Sequence, residues 1–108
     1  MTERKRSLSG IKPTGSPHLG NLLGMIKPAI ALQEEYQCLY FVADYHALTT
    51  VHDGKAMRQD TYDLTATFLA LGLDPKNAIF FRQSDLPEVT ELSWILGCFA
   101  PYGLIPSR

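Results

Sequence analysis

The sequence predicts an α/β protein, the first half (βαβαβα) of a doubly wound parallel sheet. Two observations lead to this prediction. Short apolar runs of strand length alternate along the chain with longer segments in which apolar residues recur at helical spacing. The run from Cys38 to Ala43 is continuously apolar, which is typical of a parallel strand covered on both faces.

The composition is that of one globular domain. The chain has 108 residues, of which 45% are hydrophobic and 19% charged. A net charge of -1 provides no general attraction to nucleic acid, so any RNA contact is local or lies outside this sequence. Cys38 and Cys98 lie within apolar runs and are predicted to be buried free thiols. Without a signal peptide or an apolar run of ~18 residues, we expect a cytoplasmic protein with no membrane segment.

The first strand and helix flank a glycine- and proline-rich turn. Leu8 to Ile11 predicts a short strand, and residues 12–17 form the turn. Apolar residues then recur at helical spacing at Leu19, Leu22, Leu23, Ile26, Ala29 and Ile30. Pro28 lies inside this helix and is expected to kink it or to force a local adjustment.

Two further helices and a strand complete the pattern. The second helix is predicted to begin at the N-cap Asp53 and to stop at Gly72, and residues 78–81 predict the third strand. Asp85 followed by Glu88 predicts a capping box for the third helix. Its buried stripe is expected to comprise Val89, Leu92, Ile95, Leu96 and Phe99. The first strand is expected to form an open edge of the sheet, where a second half would pair.

The turn after the first strand carries the chemistry. In an open α/β sheet, ligands bind at the carboxyl ends of the strands, and the following helix N-terminus suits phosphate. The turn contains neither GxGxxG nor Gly-Lys-Ser/Thr, which disfavours a NAD enzyme and a P-loop ATPase. It contains His-Leu-Gly-Asn at residues 18–21, a form of the HxGH/HxGN signature. These features predict a Rossmann-like nucleotide-binding domain.

The residue types of this signature suit ATP. Gly20 has no side chain, so adenine or ribose can lie against the backbone. His18 and Asn21 are three apart on one helical face and can direct hydrogen-bond donors at triphosphate oxygens. Lys12 can add a positive charge at the same position. The alternative is a solvent-facing turn whose glycines only shape the backbone.

Six blocks of the sequence resemble the tryptophanyl-tRNA synthetases, a family of class I aminoacyl-tRNA synthetases. Ordered blocks at matching spacing are more specific than one motif, and they extend from near the start of the chain to about Gly103. The blocks are Ser-Gly-Ile-Lys-Pro-Thr-Gly (9–15), His-Leu-Gly-Asn (18–21), Leu-Gln-Glu-Glu-Tyr (32–36), Ala-Asp-Tyr-His-Ala-Leu-Thr (43–49), Leu-Gly-Leu-Asp-Pro (71–75) and Gln-Ser-Asp-Leu-Pro-Glu (83–88).

The resemblance implies an ATP-dependent ligase. Tryptophan would be activated to tryptophanyl-adenylate with ATP and Mg²⁺, and the acyl group would pass to tRNA in a homodimeric protein. No protein-bound metal is implied. The ATP site would comprise Lys12, Pro13, Thr14, Gly20 and Asn21, and the catalytic signature His18 and Asn21. The amino-acid pocket would comprise Leu8, Ala43, Asp44 and His46. For two of these residues a structural role stays open: His46 as a hydrogen-bonded histidine at a strand end, and Asp44 as a cap of the following loop.

The chain departs from the family in three ways. His18 and Asn21 form a mixed version of the signature, which lies within the family's range. Lys12 stands where many bacterial members have glutamine. Residues 1–108 correspond to the amino-terminal part of a catalytic domain, without the Lys-Met-Ser-Lys-Ser loop or the anticodon-binding region, so we expect a truncated synthetase. Three alternatives remain: a tyrosyl-type synthetase fragment, an HxGH nucleotidylyltransferase fragment, and a non-catalytic remnant.

Overall fold

Three parallel strands form the centre of the molecule. The computed structural model describes residues 4–13, 15 and 19–101. Its strands are β1 (Arg6–Ile11), β2 (Gln37–Val42) and β3 (Ala78–Arg82), in the order β1-β2-β3. The three predicted strands and the edge position of β1 are confirmed. In the register, Val42 of β2 lies opposite Ile11 on one side and Arg82 on the other. All three strands therefore end at the same edge of the sheet.

The first helical segment is interrupted by a π-helix. It consists of α1 (Leu19–Asn21), a π-helical segment (Leu22–Ile26) and α2 (Lys27–Leu32). The Lys27 N–H bonds to the Leu22 carbonyl, one residue further back than in an α-helix. Pro28 follows directly, and proline provides no N–H for an α-helical bond. The predicted local adjustment at Pro28 is thus a wider helical turn just before it.

The second predicted helix begins and ends close to the residues that the sequence indicates, and a short helix precedes it. A short helix, α3 (Asp44–Ala47), follows β2, and α4 (Gly54–Ala70) follows a turn. The carboxylate of Asp53 accepts the Lys55 N–H at 2.8 Å and so caps the N-terminus of α4. Gly72 has a φ of 106° and allows the chain to leave the helix in a left-handed conformation.

The hydrophobic core lies between α2, α4 and one face of the sheet. Phe68 of α4 is fully buried, and its ring centroid lies 6.4 Å from that of Tyr40 and 5.2 Å from that of Phe80. The buried Tyr40 hydroxyl donates to the Ala29 carbonyl at 2.7 Å. Burial and a nearby Cys38 thiol raise the pKa of Tyr40 above its usual value. The cluster consists of Ile26, Ala29, Cys38, Tyr40, Val42, Leu64, Phe68, Leu73 and Ala78.

The opposite face of the sheet is open, which corrects the expectation of a sheet covered on both faces. Leu8 and Ile79 are 67% and 51% exposed. Phe41 and Phe81 of this face contact each other, with ring centroids 5.6 Å apart, and both are half-buried. The apolar run at residues 38–43 therefore has one buried face, and its other side is a partly exposed apolar surface.

The third predicted helix forms, but its environment was wrongly predicted. Helix α5 (Pro87–Phe99) has Leu86 as its N-cap and no side-chain cap. Asp85 belongs to the preceding 3₁₀ turn (Gln83–Asp85), where its carboxylate accepts the Arg82 N–H at 2.9 Å, so it does not cap α5. The expected buried stripe is exposed at Val89, Leu92, Ile95, Leu96 and Phe99.

Because α5 is exposed, the cysteine that it carries is exposed as well. Cys38 is buried and free, as predicted, whereas Cys98 on α5 is free but exposed. Helical spacing identifies an apolar face, but it does not supply the surface that would cover it. In the part of the chain that the structure describes, no helix is long and apolar enough to cross a bilayer.

Candidate functional site

Lys12 leaves the end of β1 and reaches the loop after β2. Its Nζ donates to the Thr49 hydroxyl at 3.0 Å. That hydroxyl donates in turn to the carbonyl of His46 at 2.8 Å. Thr49 therefore links the cation predicted for the ATP site to the backbone of a residue predicted for the amino-acid pocket.

The turn after β1 is also tied to α4. Gly15 has a φ of 68°, a left-handed conformation that glycine adopts without strain. Its N–H donates to a carboxylate oxygen of Asp60 at 3.1 Å. A backbone N–H in a turn of this kind is an anion-binding group, and here a carboxylate accepts from it. Asp60 of α4 therefore holds Gly15 of the predicted phosphate-binding turn.

The other residues predicted for the ATP site differ in accessibility. Pro13 is fully buried, so its ring shapes the turn and presents no surface to a ligand. Gly20 is exposed and Asn21 is half-buried. Both belong to α1, the three-residue helix that begins the first helical segment. Thr14 and His18 lie outside the described residues.

Three of the four residues predicted for the amino-acid pocket, Ala43, Asp44 and His46, lie just after β2. Ala43 is 7% exposed, and its N–H donates to the Ile11 carbonyl at 2.8 Å, which joins the ends of β1 and β2. The Asp44 carboxylate accepts from the Tyr45 N–H at 3.0 Å, from the Ser84 N–H at 3.1 Å and from the Ser84 hydroxyl. Asp44 is half-buried, and these hydrogen bonds connect the turn after β3 to the start of α3.

His46 lies in α3 with its side chain exposed. Its Nδ1 lies 3.0 Å from the Oε1 of Gln83, in the turn after β3. Leu8, by contrast, lies on the open face of β1 and is 67% exposed. The structure thus joins Lys12, Ala43, Asp44 and His46 at the carboxyl edge of the sheet, while Leu8 lies on the open sheet face.

A charged pair stabilises the turn after β3. The Arg82 guanidinium donates to Asp85, whose carboxylate also accepts the Arg82 backbone N–H. The hydrogen bonds from Arg82 lower the pKa of Asp85, and the same contact raises the pKa of Arg82. Both side chains are exposed, so the pair mainly shapes the turn that carries Gln83 and Ser84.

A cavity of about 470 Å³ lies beside this edge, between α4, β3 and the turn after β3. Of the predicted site residues that the structure describes, Asp44 alone lines it. The cavity is therefore a neighbour of the predicted site rather than its centre. Within residues 4–13, 15 and 19–101, no three histidine, cysteine, aspartate or glutamate side chains are grouped to hold a metal ion.

Four residues of this arrangement were not predicted as site residues: Thr49, Asp60, Gln83 and Ser84. Gln83 and Ser84 directly follow β3, so the rule that ligands bind at the carboxyl ends of the strands, which was applied to the turn after β1, also covers them. Thr49 lies in the resemblance block at residues 43–49. Nothing in the local sequence distinguishes Asp60 from the other charged residues of α4, because its contact depends on tertiary packing.

A comparison with protein families shows which family the chain belongs to. The family model for class I tRNA synthetases (W and Y) matches residues 1–107. The chain belongs to this family. A tryptophan–tRNA ligase from Rhodopirellula baltica is 52% identical over 100 residues, which cover 93% of this chain and 31% of that protein. The chain therefore spans about a third of the length of the curated relatives that it matches.

Solved structures of family members share the fold. A tryptophanyl-tRNA synthetase from Campylobacter jejuni, solved with ADP and tryptophan, has a TM-score of 0.85 and 45% identity, and the match covers 92% of this chain and 31% of that one. A tyrosyl-tRNA synthetase from Archaeoglobus fulgidus, solved with L-tyrosine, has a TM-score of 0.68 and 28% identity over 77% of this chain and 26% of that one. The doubly wound α/β class predicted from the sequence is confirmed, and of these two family members the tryptophanyl one is more similar.

Proposed function

We propose that this chain provides the ATP-binding and amino-acid-binding part of a tryptophan–tRNA ligase. The observation that supports this most directly is the hydrogen-bonded path from Lys12 through Thr49 to His46. The path ends on the backbone carbonyl of His46, so a cation of a type suited to phosphate lies near a residue whose side chain is of a type suited to an amino acid. The similarity to tryptophan–tRNA ligases at 46–52% identity supports tryptophan over tyrosine as the amino acid.

The proposed reaction has two steps. The tryptophan carboxylate attacks the α-phosphorus of ATP, the bond to the β-phosphate breaks, and pyrophosphate leaves with Mg²⁺ that arrived with ATP. The aminoacyl group of the adenylate then passes to a hydroxyl of the terminal adenosine of tRNA, and AMP leaves. Neither step needs a covalent bond to the protein, so positioning and charge stabilisation supply the catalysis.

The proposal assigns a role to each predicted residue. Lys12 offers a cation to the triphosphate, and donors from His18 and Asn21 at the start of the first helical segment stabilise charge at the α-phosphorus. Gly20 is exposed and leaves room for the nucleotide, and the buried Pro13 shapes the turn. Thr14 is proposed as a residue of the ATP site from the family resemblance alone. In the amino-acid pocket, His46 provides a polar contact and Ala43 and Asp44 fix the floor of the pocket. Leu8 supplies apolar surface for the indole.

The larger assembly is proposed from the family alone. We propose that the reaction uses tRNA as acceptor and that the working protein is a homodimer. A cytoplasmic location agrees with the two free cysteines of the described chain, since disulfides are rare in that compartment.

Calorimetric titration with a non-hydrolysable tryptophanyl-adenylate analogue tests the proposal. We expect tighter binding than for the tyrosyl analogue. In a parallel titration with a non-hydrolysable ATP analogue, Lys12→Ala is expected to weaken binding about 10- to 100-fold, because a charge-assisted hydrogen bond contributes about 1.5–3 kcal/mol. Lys55→Ala removes an exposed cation from α4 and is the matched control, with no expected change. A folded chain that binds neither analogue would contradict the proposal, and equal loss in both lysine variants would show that the cation acts non-specifically.

A further inference from the structure

The segment Gln83-Ser84-Asp85 follows β3 and has no role in the site as predicted. It lies at the carboxyl edge of the sheet, where the turn after β2 carries Asp44 and His46. Two sets of contacts join these turns: Ser84 to Asp44, and Gln83 to His46. The second contact involves the imidazole of His46, which has two neutral tautomers, with the proton on Nδ1 or on Nε2.

The contact between Gln83 and His46 selects one of these forms. The atom of Gln83 that faces Nδ1 of His46 is Oε1, at 3.0 Å. An amide oxygen only accepts hydrogen bonds, so this contact is a hydrogen bond only in the tautomer in which Nδ1 carries the proton. In the neutral ring, Nε2 is then unprotonated and can only accept. A neutral imidazole free in water favours the opposite form, with the proton on Nε2.

The surroundings hold the ring in this orientation. The backbone of His46 is bonded through its carbonyl to Thr49, and the partner Gln83 is placed by the adjacent Ser84, which donates two hydrogen bonds to Asp44. The His46 side chain is exposed. With Nδ1 engaged, Nε2 is the ring nitrogen available to a ligand.

We propose that Gln83 is a positioning residue that keeps the proton of His46 on Nδ1, so that Nε2 accepts a hydrogen bond from a donor group of the amino-acid substrate. The inference rests on the proposed function for the identity of the substrate. The tautomer itself follows from the geometry of the unliganded chain. Ligand-binding histidines are commonly held in this way, with one nitrogen bonded to a carbonyl or carboxylate while the other meets the ligand.

Nitrogen-15 NMR of the histidine rings tests the tautomer in the 108-residue chain without ligand. Spectra are recorded in alkaline buffer, where histidines are neutral. His46→Asn identifies the His46 signals by their disappearance. We expect Nδ1–H in the parent chain and a shift toward Nε2–H in Gln83→Leu. Gln83→Glu retains an acceptor oxygen and is expected to restore Nδ1–H. His52 is the internal control, and its signals are expected to stay unchanged.

Tryptophan affinity, measured calorimetrically on the same variants, tests the consequence. Gln83→Leu is expected to weaken tryptophan binding about 10-fold, the equivalent of one hydrogen bond, while ATP binding is unchanged. An unprotonated Nδ1 in the parent chain, or an unchanged tautomer in Gln83→Leu, would overturn the positioning role. A shifted tautomer with unchanged tryptophan affinity would overturn the substrate contact.

The two proposals fail in different ways. If the parent chain shows Nδ1–H but binds neither tryptophan nor ATP, the proposed function is contradicted together with the substrate contact, while the positioning of the ring stands. If it binds both ligands but shows Nε2–H, the function stands and the role of Gln83 is refuted.

Discussion

Asp44 has two predicted roles, contact with the amino acid and fastening of a loop, and substitutions separate them. Asp44→Ala removes the acceptor of three hydrogen bonds, from Tyr45 and twice from Ser84. A hydrogen bond to a charged group contributes about 1.5–3 kcal/mol, and the half-buried site lets water recover part of it. We therefore expect a loss of about 2–4 kcal/mol in the free energy of unfolding, from roughly 1 kcal/mol per bond.

Asp44→Asn separates the loop role from the substrate role. The asparagine oxygen can accept from both backbone N–H groups, and the amide NH₂ can donate to the Ser84 hydroxyl, which accepts as readily as it donates. We expect a loss of only about 1 kcal/mol in unfolding free energy. Tryptophan affinity should persist if Asp44 is structural. It should fall with little loss of stability if the carboxylate contacts the substrate.

Urea unfolding followed by circular dichroism measures the stability of each variant, and calorimetry measures tryptophan binding. The matched control is Glu91→Ala, which removes the same charge from the exposed surface of α5. The melting temperature of Asp44→Ala should fall by at least roughly 8 °C, at about 4 °C per kcal/mol for a domain of this size. If Asp44→Ala is as stable as Glu91→Ala, the hydrogen bonds to Ser84 do not hold the two turns together and the reasoning is wrong.

Three further predictions concern the frame of the site. In Gly10→Ala, a Cβ would lie 2.4 Å from the Phe41 ring, so we expect a loss of about 1–3 kcal/mol in urea unfolding. Tyr40→Phe removes a buried hydroxyl that bonds to a backbone carbonyl and should lose about 1–2 kcal/mol in the same assay. Arg82 lowers the pKa of Asp85 below its value in the unfolded chain, about 3.9. The stabilisation from this pair is therefore complete above that pH and is lost as the pH falls through the lower pKa of the folded chain. An NMR titration of the Asp85 carboxyl should therefore give a midpoint below that of an unstructured aspartate.

Each of these predictions has its own control. Gly24→Ala introduces a Cβ with no heavy atom within 4 Å, and it should cost far less than the substitution at Gly10. Tyr62 is 62% exposed, and Tyr62→Phe should leave stability unchanged. Equal effects within either pair would refute the packing argument behind it. For the acid titration the control is Arg82→Gln, in which the midpoint of Asp85 should rise toward the ordinary value, and an unchanged midpoint would exclude the guanidinium as the cause.

The sequence predicted the elements that local chemistry specifies. Asp53 caps α4 and Gly72 ends it, because a carboxylate beside free N–H groups and a residue tolerant of positive φ act within a few positions along the chain. Pro28 required an adjustment of its helix because proline lacks an N–H. The prediction that Asp85 caps α5 was wrong for a reason that is also local. Arg82 lies three residues away, and its backbone N–H and guanidinium bind the Asp85 carboxylate.

Part of the arrangement at the candidate site could be predicted from the sequence. The rule that ligands bind where parallel strands end pointed to the turn that contains Lys12, and the family resemblance pointed to His46. The structure joins these two residues through Thr49. The same rule was not extended to Gln83 at the end of β3. Asp60 could not have been found, because its contact with Gly15 spans 45 positions and depends on how α4 packs.

By itself, the sequence determined the order of strands and helices, the turn suited to a nucleotide and the resemblance to a synthetase family, because these depend on spacing and on residue type at short range. The tertiary structure decided which apolar faces are covered and which polar side chains meet. Helical spacing in α5 and the apolar residues of the strands define apolar faces, but burial requires a second surface. The described chain leaves the apolar face of α5 and one face of the sheet exposed or partly exposed. Likewise the partner of a carboxylate or an imidazole is chosen by packing: Ser84 reaches Asp44, and Gln83 reaches His46, because parallel pairing brings the ends of β2 and β3 side by side.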